Sequence, residues 1–78
     1  MVFEKVRSIV SDELNIPENE ITLSTSFLGD LNADSLDIYQ LVTIIEEEFD
    51  IELSDKDIDK ITRVNDIVDY INEIKGID

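Results

Sequence analysis

The sequence contains no cysteine and no histidine among its 78 residues. Without cysteine the chain has no disulfide, no thiolate nucleophile and no sulfur ligand for a metal. Without histidine it also lacks a general base that titrates near neutral pH and an imidazole ligand for a metal. These two absences exclude most of the familiar arrangements of catalytic side chains.

Basic residues are scarce, because six Lys and Arg stand against 20 Asp and Glu and give a formal net charge of −14. The segment between Ser8 and Asp55 has no basic residue at all. We expect no nucleic-acid partner, since phosphate binding needs Lys and Arg on the protein. The acidic residues indicate either a solvated surface or a docking surface for basic partners.

Long apolar runs are also missing, and no stretch approaches the roughly 20 apolar residues that span a bilayer. The N-terminal segment MVFEKVRSIV has no cleavage-like site. We therefore expect a soluble, cytoplasmic protein without membrane insertion. The length predicts one domain over residues 1–78, and apolar residues, 42% of the chain, argue against disorder.

Apolar residues recur every three or four positions in three segments, which predicts three amphipathic helices. The first covers residues 3–14, with the stripe Phe3, Val6, Ile9, Val10 and Leu14, and Pro17 follows its end. The second begins at Asp34 or Ser35 and runs to about Phe49, with the stripe Ile38, Leu41, Val42, Ile45 and Phe49. The last begins near Val64 and ends at Gly76, with the inward residues Ile67, Val68, Ile71 and Ile74.

The segment SDKDI, from Ser54, predicts a short third helix that reaches about Ile61. Residues 15–33 have no sustained period and predict a long loop. We expect this loop to be ordered, because it has too many apolar side chains to leave in water: Ile21, Leu23, Phe27, Leu28 and Leu31. The predicted fold class is all-α, a four-helix bundle with one short third helix and a long ordered loop between helices one and two.

Ser35 lies in the segment LNADSLDIY, residues 31–39, where the second helix begins. One hypothesis makes it a helix N-cap with no further function. A second makes it a catalytic nucleophile, which the absence of histidine disfavours, since a serine needs a nearby base. A third makes it an attachment point for a phosphate or phosphodiester, which the positive end of the helix dipole would stabilise.

Asp30, Asn32 and Asp34 match the first, third and fifth positions of a calcium-binding EF-hand loop. The pattern then fails, with Ser35 in place of the glycine and Leu41 in place of the bidentate glutamate. We therefore predict no specific metal site here. Weak association of divalent cations with the acidic surface stays open.

Residues 30–71, DLNADSLDIYQLVTIIEEEFDIELSDKDIDKITRVNDIVDYI, resemble the bacterial acyl carrier proteins of type II fatty acid synthesis. The segments DSL, EEEFDIEL and DKITRVNDIVDYI, with the length and the acidity, carry the resemblance. It implies a monomeric, non-enzymatic carrier whose motif serine, here Ser35, holds 4'-phosphopantetheine. The thiol of that arm would hold an acyl chain as a thioester, so a protein without cysteine could serve thioester chemistry.

The resemblance also implies partners, namely a phosphopantetheinyl transferase and basic-surfaced enzymes of fatty acid synthesis. The residues that these partners would contact are Asp34, Leu36, Asp37, Gln40, Thr43, Glu46, Glu47 and Glu48. Three positions depart from the family pattern: Asn32 replaces a usual glycine, Gln40 a usual glutamate and Thr43 a usual methionine. Asn tolerates positive φ better than most residues, so Asn32 is compatible with the fold.

Two alternatives to a fatty-acid carrier remain open. One is a carrier dedicated to polyketide, lipid-modification or aminoacyl transfer, and the other is an unmodified acidic interaction module. For a carrier, the aliphatic core and the short third helix predict a cavity for the acyl chain. The residues predicted to line it are Leu28, Ile45, Leu53, Ile58, Ile61, Ile67, Val68 and Ile71.

Overall fold

The computed structural model describes residues 2–76, and these residues form four α-helices and no β-strand. The helices are α1 (Val2–Leu14), α2 (Ser35–Phe49), α3 (Asp55–Asp59) and α4 (Val64–Lys75), and a 3₁₀ turn at Glu18–Glu20 lies between α1 and α2. The predicted all-α bundle with a short third helix is confirmed. None of the helices between residues 2 and 76 has both the length and the apolar character needed to cross a membrane.

The helix ends follow the local side-chain chemistry. Asn15 and Asp50 adopt left-handed conformations, with φ of 59° and 56°, directly after α1 and α2. Gly76, with φ of 68°, ends α4 as predicted. Asn32 also has a positive φ of 56°, which confirms that asparagine accepts the backbone conformation expected of a glycine there.

α3 is shorter than predicted, because it ends at Asp59 rather than near Ile61. The amide of Lys60 bonds to the carbonyl of Asp57, and that of Ile61 bonds to the carbonyl of Ile58. These tight turns close the helix, and the chain then becomes extended before α4.

The core is aliphatic and centres on α1, which packs against both α2 and α4. Its fully buried large side chains are Val6, Val10, Phe27, Leu41, Val42, Ile45, Val64, Ile67 and Ile71. Ile74 is 47% exposed, so the prediction that it faces inward is wrong. It lies in the last turn of α4, past Ile71, where less of the bundle is left to cover it.

The long loop is ordered by backbone pairing with the segment before α4. The amide of Phe27 donates to the carbonyl of Thr62 at 3.0 Å, and the amide of Val64 donates to the carbonyl of Thr25 at 3.0 Å. The guanidinium of Arg63 adds a bond of 2.6 Å to the carbonyl of Ser24. The loop that precedes α2 is therefore fixed to the start of α4.

Two apolar side chains of this loop are exposed, contrary to the prediction that they are covered. Leu23 is 46% exposed and Leu28 is 63% exposed, whereas Ile21 and Phe27 are buried. Residues 27–30 form a turn, which the amide of Asp30 closes by donating to the carbonyl of Ser26 at 3.0 Å. Phe27 enters the core at the start of this turn, and Leu28 lies on its exposed side.

The burial of Phe27 leads to a stability prediction. Replacing Phe27 by Ala should lower the free energy of unfolding by about 3–5 kcal/mol, since a large side chain leaves a cavity in the core. Urea denaturation followed by circular dichroism measures this change. The neighbouring substitution Leu28→Ala is the control and should change the free energy by less than about 0.5 kcal/mol. Equal effects of the two substitutions would contradict this description of the loop.

Candidate functional site

The start of α2 is capped by two aspartates, each of which accepts a hydrogen bond from the backbone of the other. The carboxylate of Asp34 accepts the backbone N–H of Asp37 at 3.0 Å, and the carboxylate of Asp37 accepts the N–H of Asp34 at 3.2 Å. This arrangement is a capping box with Asp34 as the N-cap. Of the two N-cap candidates, the structure selects Asp34, so the hydroxyl of Ser35 is not used for capping.

Ser35 is the first residue of α2 and is exposed to solvent. Neither neighbouring acid is directed at its hydroxyl, because Asp34 and Asp37 each accept the other's backbone N–H. A serine nucleophile needs an activating base, and this geometry does not supply one from those two residues. The arrangement favours instead a hydroxyl that an external enzyme modifies, beside the positive end of the helix.

A hollow of about 180 Å³ opens next to Ser35, between the start of α2, the long loop and α3. We call it the serine hollow, and its lining residues are Leu28, Ser35, Ile38, Tyr39, Ile58, Asp59, Ile61 and Thr62. The volume is slightly larger than the roughly 150 Å³ of an apolar cavity that holds benzene. The hollow therefore has room for about six carbon atoms in this structure.

Three larger depressions lie elsewhere, and Ser35 lines none of them. One, of about 470 Å³, lies at the end of α2 and is lined by acidic residues that include Glu46 and Glu47. Another, of about 480 Å³, lies beside α1 and includes Phe3 and Leu23. The third, of about 320 Å³, lies at the end of α1 and includes Pro17. All three are more open to solvent than the serine hollow.

The residues predicted to line an acyl cavity fall into two groups. Leu28, Ile58 and Ile61 line the serine hollow. The others lie in or against the core behind it: Ile45, Leu53, Ile67, Val68 and Ile71. The prediction that Leu28 faces inward is wrong, because it follows the inward Phe27 and forms the exposed rim of the hollow.

Ile38 and Tyr39 also line the hollow, although the sequence analysis did not include them in the cavity. They follow Ser35 by three and four positions on α2. Residues at these spacings lie on one face of a helix. The helical spacing from Ser35 was therefore a signal that could have identified both residues.

Four predicted partner residues form an exposed stripe along α2, which we call the α2 stripe: Leu36, Gln40, Thr43 and Glu47. All four side chains are exposed to solvent, as contact with partners requires. Leu36 is 74% exposed and lies beside Ser35. The hydroxyl of Thr43 donates to the carbonyl of Tyr39 at 2.9 Å, so it is engaged within its own helix.

The three consecutive glutamates at the end of α2 do not share one face. Glu46 is half-buried, and its carboxylate accepts the backbone N–H of Leu53 at 2.7 Å. Glu48 lies 3.2 Å from the ammonium of Lys5 on α1. Only Glu47 of the three belongs to the α2 stripe, because successive helical residues differ by 100° in direction.

The partial calcium pattern does not assemble as a calcium loop. Asp30 accepts the backbone N–H of Ser26 at 2.8 Å, and Asp34 is engaged in the capping box. Within residues 2–76 no group of three or more acidic side chains converges on a point where a metal ion would lie.

The chain is similar to known proteins over most of its length. A family model described as a phosphopantetheine attachment site matches residues 4–71, a range that includes Ser35 and all of α2 and α3. A protein of Clostridium acetobutylicum named "Acyl carrier protein" is 52% identical over 71 residues, which are 91% of this chain and 92% of that protein.

The capping box at the start of α2 leads to a second prediction. Asp34→Ala should lower the free energy of unfolding by about 1 kcal/mol, because the first turn loses its side-chain acceptor. Asp34→Asn is the matched control and should retain most of the stability, since asparagine caps helices about equally well. Urea denaturation of both variants measures the difference. If Asp34→Asn lowered the free energy of unfolding as much as Asp34→Ala, the loss could not be attributed to the helix cap.

Proposed function

We propose that this chain, which belongs to the acyl carrier proteins, carries growing acyl chains for fatty acid synthesis. Proteins of this family are carriers and not enzymes, and the group that they carry is phosphopantetheine. The proposed attachment point of 4'-phosphopantetheine is the hydroxyl of Ser35, in a single carrier domain over residues 1–78. The group, when bound, supplies a thiol that holds the acyl chain as a thioester. The proposed setting is the cytoplasm.

The observation that carries the assignment of Ser35 is its free position at the start of α2. Asp34 takes the capping role, which leaves the serine hydroxyl exposed to a transferase. A phosphodiester at this oxygen would lie near the unpaired N–H groups of the first helical turn. The site therefore fits the group through its access to solvent and its place at the positive end of the helix.

The serine hollow supports the second part of the proposal, which concerns the acyl chain. Its apolar wall is formed by Leu28, Ile38, Tyr39, Ile58 and Ile61. Each methylene that leaves water for such a wall gains about 0.8 kcal/mol. The hollow begins at Ser35 itself, so we propose that it shelters the acyl chain.

The α2 stripe and the acids around it are the proposed contact surface for partner enzymes. Leu36 offers an apolar contact beside the attachment point, and Asp34, Asp37 and Glu47 offer negative charge. Charge complementarity accelerates encounter more than it tightens binding. This suits a carrier that must leave each basic-surfaced enzyme quickly.

A carrier dedicated to another pathway is the second candidate function. It is favoured by Gln40 and Thr43, which place two uncharged side chains in the middle of the exposed α2 stripe. The two candidates predict different partners for the same arm. Kinetics of acyl transfer from the loaded protein to enzymes of each pathway would separate them, and poor transfer to fatty acid synthesis enzymes would favour the dedicated carrier.

Attachment at Ser35 leads to a third prediction. Incubation with coenzyme A and a phosphopantetheinyl transferase should add the mass of one phosphopantetheine, because the hydroxyl of Ser35 is exposed and is not used for capping. Ser35→Ala should abolish the addition, whereas Ser24→Ala, an exposed serine of the loop, should leave it unchanged. Intact-mass spectrometry measures all three proteins. Loading that survives Ser35→Ala would refute the assignment, and a wild-type chain that is never loaded would favour the unmodified interaction module.

Shelter in the serine hollow leads to a fourth prediction. Acyl groups of increasing length on the arm should raise the melting temperature stepwise, because each buried methylene adds about 0.8 kcal/mol. The gain should level off near six carbons, where the hollow is full. The protein with the arm but no acyl group sets the baseline. Identical melting temperatures for short and medium chains would mean that the acyl chain stays in solvent.

A further inference from the structure

α3 is the helix least secured by backbone contacts. It has five residues, too few for a helix to be stable through its own hydrogen bonds. α1 packs against α2 and α4, whereas α3 makes few close backbone contacts with the other helices between residues 2 and 76. On its C-terminal side the chain is fixed by the backbone bonds of Thr62 and Val64 to the long loop.

The N-terminal side of α3 is held by side chains of α2 and α4. Glu46 on α2 accepts the backbone N–H of Leu53 at 2.7 Å. Tyr70 on α4 donates its hydroxyl to the Oδ2 atom of Asp57 at 2.9 Å, and the same hydroxyl lies 3.5 Å from the carbonyl oxygen of Glu52. The same Oδ2 atom accepts the N–H and the hydroxyl of Ser54, at 3.2 and 2.9 Å. One carboxylate oxygen therefore joins the first turn of α3 to α4.

The protonation states of both partners favour this bond. The hydrogen bond from Tyr70, with those from Ser54, lowers the pKa of Asp57, so its carboxylate stays charged at more acidic pH than that of an ordinary aspartate. The same bond raises the pKa of Tyr70, and the nearby charges of Glu73 and Glu46 add to the effect. Tyr70 thus keeps its proton while Asp57 is charged, and such charge-assisted bonds are stronger than neutral ones.

α3 also forms one wall of the serine hollow, through Ile58 and Asp59, and Ile61 follows directly after it. The hollow has room for about six carbon atoms, so a longer acyl chain needs one of its walls to move. The start of α2 is held by its capping box, and the long loop is held by backbone pairing. α3 is the wall whose N-terminal side depends on side-chain bonds.

We propose that the hydrogen bond between Tyr70 and Asp57 is a latch that limits the movement of α3 and thereby sets how readily the bundle admits a long acyl chain. The inference rests on the proposed function, because it takes an acyl chain as the cargo of the hollow. Tyr70 does not line the hollow. It is a positioning residue, which acts through Asp57 on the wall formed by Ile58.

The first experiment tests the latch on the protein without cargo. Tyr70→Phe removes the donor hydroxyl and should accelerate amide exchange in residues 54–60 about fivefold, with no change in residues 25–27. Ser11→Ala is the control, because it removes a hydroxyl that bonds to the carbonyl of Ile16 and lies outside the serine hollow, and it should leave exchange in residues 54–60 unchanged. Equal exchange in Tyr70→Phe and wild type would overturn the latch.

A spectroscopic measurement tests the bond directly. In a Tyr39→Phe background, ultraviolet absorbance follows the ionisation of Tyr70 alone. Asp57→Asn should lower the pKa of Tyr70 toward its ordinary value, since the neutral amide no longer holds the phenolic proton against a charge. A pKa of Tyr70 that does not change would overturn the bond as the structure has it.

The last experiment tests the role in admitting cargo. Loading with an acyl chain longer than about six carbons should raise the melting temperature of Tyr70→Phe more than that of the wild type. Shorter acyl chains should raise the melting temperatures of both proteins equally. The same length dependence in both proteins would overturn the role of the latch, even if exchange changes. A wild-type protein without any length dependence would overturn the proposed hollow and the role of the latch together, whereas unchanged exchange overturns the latch alone.

Discussion

The reciprocal bonds between Asp34 and Asp37 determine what Ser35 can do. A helix start has unpaired N–H groups, and a serine at the N-cap would turn its hydroxyl toward them. Here the residue before Ser35 takes that role, and the serine stands one position later with its hydroxyl exposed. The same two acids give negative charge beside the proposed attachment point, so one pair of side chains serves both helix stability and the proposed recognition by partners.

The chain has few basic residues to pair with its acids, so its stability depends mainly on a small aliphatic core. Within residues 2–76 two ion pairs form, Lys5 with Glu48 and Arg7 with Glu18, and both use cations of α1. Exposed pairs of this kind contribute at most about 1 kcal/mol each. Glu47, the acid of the α2 stripe, is in neither pair and is left for solvent or for partners. Burial of the core side chains and backbone pairing of the long loop therefore hold the bundle together, while α3 depends on side-chain bonds.

The sequence predicted the helices well because their apolar residues recur with the helical period over ten or more residues. It left the N-cap open between Asp34 and Ser35, since both residue types cap helices. It missed contacts that depend on the path of the chain between helices. Glu46 reaches Leu53 only because α2 ends at Asp50 in a left-handed turn, and no periodicity indicates that turn. Likewise, the outward direction of Leu28 depends on the pairing of the loop with residues 62–65.

A carrier must release what it shelters, and the geometry of the serine hollow bears on that requirement. Full burial of about six methylenes, at about 0.8 kcal/mol each, would hold an acyl chain by roughly 5 kcal/mol. That is a preference of more than a thousandfold for the sheltered state, since about 1.4 kcal/mol corresponds to a factor of ten.

Leu28 and Tyr39, at the mouth of the hollow, are 63% and 42% exposed. A chain that lies against them stays partly in contact with water, so its burial is incomplete and the preference for the sheltered state is smaller. Under the proposed function, the exposed rim would thus keep a sheltered chain within reach of a partner enzyme beside Ser35.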